Sequence, residues 1–436
     1  MLNNLSAQIQ DLNYIWHPCT QHKDHEQLPP IPIASGKGVY LYDFNQKAYI
    51  DCISSWWVNL FGHSHPYINA KLAEQAQELE HTLLAGFSHK GIISYSKRLI
   101  ELLGQGFDKC FYADNGSSAV EVALKMSFHR HQILNNQRPI FLTLENSYHG
   151  ETIGALSLSN IPLYQQIYKP LLLQSLNTPI PSQMTSTQEA LEKLENILKE
   201  KGHQICAFIL EPLIQCAGGM HFYPKEYLQQ ACKLCKQYGI DIIFDEIAVG
   251  FGRTGTMFAF EQCNITPDFL CLSKGITAGY LPLSVVVTNN EVFQNFYAPY
   301  EEYKAFLHSH SYTGNALAIA CANATLDIFE SEQILQNNAK KHLFITELFG
   351  QLQCFACVSN FRSLGMVFAF ELDLDIPRAG FVFYSLALQH GLILRPLGNT
   401  IYFMPPYIIT QEEIIQVYEG ICSVLSILEN KQKGYI

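Results

Sequence analysis

Apolar positions along the chain alternate between two rhythms. Short continuous runs at Phe111-Tyr112-Ala113, Pro139 to Leu144, Ala207-Phe208-Ile209-Leu210, Ile242-Ile243-Phe244, Leu270-Cys271-Leu272 and Leu283 to Thr288 read as buried strands. Between them lie stretches of helical spacing. One is Pro66 to Glu80, with Ile68, Leu72, Ala76 and Leu79 on one face; others cover about 91–103, the segment from Ala119, about 187–201, the segment holding Cys232, and Asn315 to about Phe329. Strand and helix in alternation, with polar residues at the strand ends, predict an α/β fold with a mostly parallel, doubly wound sheet.

The pattern changes outside this region. Beyond residue 330, helices at about 331–350 and 381–390 alternate with short β runs at 365–371, 392–395 and 400–404, the layout of a smaller α+β domain. The segment to about Pro32 is polar and without sustained periodicity, and its Trp16-His17-Pro18-Cys19-Thr20 favours docking on another surface. A hairpin is expected from Gly38–Asp43 and Lys47–Asp51. Residues 160–185 read as a loop-like insertion. The expected organisation is an arm and hairpin over 1–53 joining the small domain, a large domain over 54–329 and the small domain over 330–436.

Composition narrows the function classes. The 436 residues are 48% hydrophobic and 15% charged, an ordered globular chain rich in aromatic residues. A net charge of −11 without a basic block gives no electrostatic basis for binding nucleic acid or an anionic membrane. No apolar run approaches the roughly 18 residues of a membrane span, and no secretory signal is visible, so the expected location is the cytoplasm. Thirteen cysteines include the pairs Cys232/Cys235 and Cys354/Cys357. The helical setting of the first pair and the odd total favour buried thiols over a zinc site or a disulfide framework.

The chemistry concentrates between Asp241 and Gly279. One apolar run ends on Asp245-Glu246 and another delivers Lys274 between a serine and a glycine. An acid and a lysine at the ends of neighbouring strands face one crevice of an open sheet. This is the pair that a pyridoxal phosphate enzyme requires, a lysine for the Schiff base and a carboxylate for the ring nitrogen. Asp114-Asn115-Gly116-Ser117-Ser118, between a strand and a helix, suits an anion such as a phosphate. Gly250-Phe251-Gly252-Arg253-Thr254-Gly255 fits a dinucleotide motif in letters only: no helix pattern opens at it, and the next strand ends on Ser273-Lys274 and not on an acid.

Asp245-Glu246, the Gly250–Gly255 loop, Pro267-Asp268 and Ser273-Lys274-Gly275 together resemble the signature of class III aminotransferases of pyridoxal phosphate fold type I, and the resemblance covers nearly the whole chain. Trp16-His17-Pro18, Ser54-Ser55-Trp56-Trp57, Tyr148-His149-Gly150, His310 to Asn315, Arg395-Pro396 and Met404 to Tyr407 resemble the biotin-synthesis branch of that family. The resemblance implies that Lys274 carries pyridoxal 5'-phosphate and moves the substrate proton, and that Asp245 pairs with the ring nitrogen. It implies that Gly116 and Ser117 bind the phosphate, with His310 and Ser311 reaching it across a homodimer, and that Tyr148 lies against the ring. Trp56, Tyr148 and Ser309 line the substrate pocket, and Arg395 pairs with the carboxylate of the oxo acid. The implied substrates are 8-amino-7-oxononanoate as acceptor and S-adenosylmethionine as donor. Cys19 stands where the branch usually has an aromatic residue and Glu151 where it usually has aspartate, which leaves lysine open as an alternative donor.

Overall fold

A computed structural model describes residues 3–432, which divide into two compact units, 70–336 and a second formed by the segments on either side of it. The first unit is built on a seven-stranded sheet. Its strands in chain order are β1 (Lys109–Ala113), β2 (Ile140–Leu144), β3 (Ser175–Thr178), β4 (Ile205–Leu210), β5 (Asp241–Asp245), β6 (Phe269–Leu272) and β7 (Ser284–Thr288), in spatial order β1-β7-β6-β5-β4-β2-β3. The strands from β6 to β3 pair in parallel, while β7 runs antiparallel to both its neighbours. Parallel strands covered by helices on both faces have no solvent side, and every residue of β2, β4, β5 and β6 is buried.

The helix Gly116–Ile133 lies across this sheet. Its Val120, Ala123 and Leu124 join Phe141, Ile209, Ile243, Phe269 and Val286 in one apolar cluster. Fully burying a side chain of this size contributes about 1.5–3 kcal/mol. Asp241, which opens β5, is also buried, and its carboxylate accepts from Arg130 Nη1 at 2.6 Å and Ser127 Oγ at 2.7 Å. The thiols of Cys232 and Cys235 are buried on the inner face of the helix Lys225–Gln237, and no group of three metal-ligating side chains occurs among the described residues. No described helix is long and apolar enough to cross a membrane.

Two segments are more ordered than their sequence suggests. The 160–185 insertion holds a short helix, Pro162–Gln165, and the edge strand β3, whose Ser-Leu-Asn-Thr carries too little apolar signal to read as a strand. The arm contains a helix, Asn4–Tyr14, started by Asn3, whose side chain accepts from Ser6 N at 2.9 Å. No residue of that helix is buried, which explains the missing periodicity. A C-terminal helix, Gln411–Gln432, was not expected from the pattern.

In the second unit, the expected hairpin forms from Tyr40–Asp43 and Ala48–Asp51 and is joined by Ile33–Lys37 and, in parallel, by Leu392–Ile393. The residues after this hairpin are unusual. Ser54, Ser55, Trp56 and Trp57 have φ of 51°, 46°, 72° and 74°, one turn of left-handed helix without a glycine. Left-handed backbone costs an L-residue with a side chain about 1–2 kcal/mol per position, so this turn must be held by its surroundings.

Phe244 sits at full burial in the middle of the central strand β5. Phe244→Ala is expected to destabilise the protein by about 3–5 kcal/mol through lost burial and a residual cavity, measured as a lower denaturation midpoint in urea.

Candidate active site

Strand register brings the chemistry together. Phe244 aligns with Leu210 and Asp245 with Cys271, so Glu211, Asp245 and Lys274 emerge at the same edge of the sheet. Across β7, Ser284 aligns with Ala113, which places the Asn115-Gly116-Ser117 turn at that edge as well. Sheets of this kind bind ligands at the carboxyl ends of their strands.

Asp245 is buried and fixed from two sides. His149 Nδ1 lies 2.8 Å from its Oδ2, and Ile247 N donates to its Oδ1 at 3.1 Å. His149 is itself buried, with Nε2 3.4 Å from Thr143 Oγ1. Lys274 follows β6 with φ 45°, a strained conformation for a lysine. Burial pushes its amine below the ordinary lysine value, against the pull of Cys216, Asp245 and Glu211. Glu211 is pushed well above the usual carboxylate range by burial and by the charge of Asp245, with Lys274 opposing. Its Oε1 accepts from Cys216 N at 3.3 Å, while its Oε2 is buried without a hydrogen-bond partner among the described residues. The thiols of Cys216 and Cys271 are pushed up mainly by burial.

The anion-directed turn is also closely built. Asn115 caps the Gly116 helix by accepting from Ser118 N at 3.0 Å. Ser117 Oγ accepts from Glu151 N at 3.2 Å. Gly150, at φ 127°, packs so closely here that a Cβ would stand 2.0 Å from Ser117 Oγ. Tyr148 donates to Glu151 Oε1 at 3.1 Å and stacks edge-on against Tyr164.

A sequence profile of class III aminotransferases matches residues 20–425. The chain belongs to the class III aminotransferases. It is 56% identical over 434 residues, 97% of this chain and 98% of the relative, to an adenosylmethionine-8-amino-7-oxononanoate aminotransferase of Helicobacter pylori. A relative with the same name in Geobacter sulfurreducens is 38% identical over 432 residues, 94% of this chain and 95% of the relative. The crystal structure of the Methanocaldococcus jannaschii enzyme of that name superposes with a TM-score of 0.92 at 33% identity, covering 97% of this chain and 99% of the other. The omega transaminase of Pseudomonas jessenii in complex with PMP gives a TM-score of 0.92 at 27% identity, covering 98% and 99%.

Class III aminotransferases use pyridoxal phosphate. The residues present fit that cofactor: a lysine amine desolvated by burial, a doubly anchored carboxylate beside it, and a long helix whose N-terminus carries a serine. The Gly250–Gly255 loop serves packing. Glu246 ties the segment after it to β5, its Oε2 and Oε1 each accepting at 2.7 Å from Ala259 N and Phe260 N, and only a single 3₁₀ turn, Ala259–Cys263, follows.

The remaining expected residues fall into two groups, each with contacts of its own. Ser309, His310 and Ser311 occupy a loop tied down by other contacts. His308 Nδ1 lies 2.9 Å from Lys125 Nζ, His310 N donates to Thr313 Oγ1 at 3.2 Å, and the Ser311 carbonyl lies 2.6 Å from His81 Nε2. Trp56 and Arg395 belong to the other unit, where the guanidinium carbon sits 5.0 Å from the indole centroid and Nη2 donates to the Cys19 carbonyl at 2.7 Å. The sequence pattern assigns no part in the site to His149 or to Glu211, which follows β4; only the fold shows that they meet Asp245 and Lys274.

Burial raises the Glu246 carboxyl to about 8, so the folded state keeps a proton that the unfolded chain releases near the ordinary value of 4.5. The stability this proton represents is complete below that ordinary value and is lost as pH rises towards 8. Glu246→Gln is expected to remove this slope, so that its stability relative to the parent improves steadily from about pH 5 to pH 8 in denaturant titrations.

Proposed function

We propose that the chain transfers an amino group from S-adenosylmethionine to 8-amino-7-oxononanoate, forming 7,8-diaminononanoate in biotin synthesis, in two half-reactions through one site. The observation that carries this assignment is the 56% identity, over nearly the full length of both chains, to the relative named for these substrates.

Pyridoxal phosphate, when bound, supplies a ring that accepts the electrons left when the substrate's amino-bearing carbon loses its proton. The residues divide the remaining work. Lys274 carries the cofactor and, once released, its Nζ takes the proton from that carbon and returns it. The depressed amine pKa keeps Nζ neutral more of the time, as a base must be. Asp245 holds the ring nitrogen protonated, and His149 keeps the carboxylate oriented. Gly116 and Ser117 would bind the phosphate, and Tyr148 would lie against the ring. Trp56 and Ser309 bound the substrate, and Arg395 binds the carboxylate of the oxo acid through two parallel hydrogen bonds.

His310 and Ser311 complete the phosphate site of a second copy in a homodimer. Support comes from the exposed apolar side chains of their own segment: Leu307 is 91% exposed, Tyr300 80% and Tyr303 75%. An apolar run of this kind is what an interface covers.

The deciding experiment is the donor half-reaction. S-adenosylmethionine is expected to bleach the visible band of the purified holoenzyme and lysine to leave it unchanged; the reverse outcome assigns lysine as donor. Arg395→Ala is expected to raise KM for 8-amino-7-oxononanoate about 10- to 150-fold, the loss of charged hydrogen bonds, and an unchanged KM removes that residue from the carboxylate site. Mixing the inactive Lys274→Ala chain with a His310→Ala/Ser311→Ala chain should recover activity that neither has alone. A mixture no more active than its parents argues against shared sites.

A further inference from the structure

The left-handed turn Ser54–Trp57 is held by one carboxylate. Asp51 is buried at the end of the hairpin. Its Oδ1 accepts from Ser55 N at 2.9 Å and from Ile53 N at 3.4 Å, and its Oδ2 accepts from Ser55 Oγ at 2.7 Å. His63 Nε2 lies 3.0 Å from the same Oδ2, and His63 Nδ1 lies 3.2 Å from Asn59 Nδ2. A neutral imidazole with its proton on Nε2 satisfies both contacts. Ser54 Oγ donates to the Met404 carbonyl at 2.7 Å, and Trp57 is buried edge-on against Tyr402.

Every one of these contacts fastens the turn, and none touches Trp56. That residue is the outcome of the arrangement. At φ 72° it is 39% exposed, with its ring 5.0 Å from the Arg395 guanidinium carbon. A right-handed path through the same residues would send the indole elsewhere and leave the guanidinium with the Cys19 carbonyl but no aromatic face.

We propose that Asp51 is a positioning residue for Trp56: it stabilises the strained turn that lays the indole against Arg395, and through that contact it sets recognition of the acceptor. The inference rests on the proposed function in one respect, that Trp56 and Arg395 meet the acceptor's carboxylate. His63 acts behind Asp51 by holding its Oδ2.

The test uses the holoenzyme with Asp51→Ala, Asp51→Asn, Trp56→Phe and Ser55→Gly, alone and combined. Asp51→Ala is expected to raise KM for the acceptor about tenfold, comparable with losing the support of one left-handed residue, while kcat changes less than about threefold. Adding Trp56→Phe to Asp51→Ala should then cost little more, since both act through one contact. Ser55→Gly should restore much of the lost affinity, because glycine adopts positive φ without strain. A KM left unchanged by Asp51→Ala, or effects of Asp51→Ala and Trp56→Phe that simply multiply, overturns the proposal. Asp51→Asn keeps one acceptor for the Ser55 groups and serves if the alanine variant fails to fold; it should shift KM in the same direction by a smaller factor.

The second readout does not depend on the reaction. The part of the near-ultraviolet circular dichroism that Trp56→Phe removes should collapse in Asp51→Ala and return in Asp51→Ala/Ser55→Gly. If the parent enzyme does not accept 8-amino-7-oxononanoate, the substrate assignment fails, and this signal alone decides the positioning role. Its persistence in Asp51→Ala overturns that role.

Discussion

A carboxylate and an amine at the ends of two neighbouring parallel strands are the constraint on which the rest of this protein depends. Neither group belongs in a dry environment alone. His149 and the Ile247 amide hold the oxygens of Asp245, and Lys274 is desolvated against three acidic neighbours at once. Parallel register makes this possible, since it delivers every strand end to the same edge. The fully buried β4, β5 and β6 support that edge, and the capped Gly116 helix starts beside it.

The second unit rests on a different device. The arm, the hairpin and the C-terminal segment share one unit, and Cys19, Trp56 and Arg395 converge within it. Here geometry is set by strain and by a single buried acid, not by a regular lattice of strands. Such strain persists only where surrounding hydrogen bonds over-determine the backbone. Of the two residues that depart from the usual pattern, Cys19 lies in this unit and offers its carbonyl to Arg395, whereas Glu151 lies in the sheet unit and accepts from the Tyr148 hydroxyl.

What was legible in the sequence follows from these physical differences. Central strands announce themselves because burial on both faces demands continuous apolar runs, so β4, β5 and β6 are legible, the last two with the acid and the lysine at their ends. The edge strand β3 could not, because one side of it needs no burial, and the exposed helix Asn4–Tyr14 carries no apolar stripe. Lys274 and Asp245 stood out as a pair of types at strand ends. His149 and Glu211 did not, since their roles come from distances across strands that no local pattern encodes. The left-handed turn was least legible of all: Ser-Ser-Trp-Trp contains no glycine, and its conformation is imposed by Asp51 from outside.

Burial of thiols around the lysine has a chemical consequence of its own. Pyridoxal phosphate brings an aldehyde, and an aldehyde is open to attack by sulfur as well as by nitrogen. Cys216 sits within electrostatic reach of both Lys274 and Asp245. Dehydrating the site shifts the two nucleophiles in opposite directions, since it penalises the charged form of each: the amine loses its proton more readily and the thiols keep theirs. A single physical condition, exclusion of water, thereby favours the neutral form of the amine and of the thiols alike.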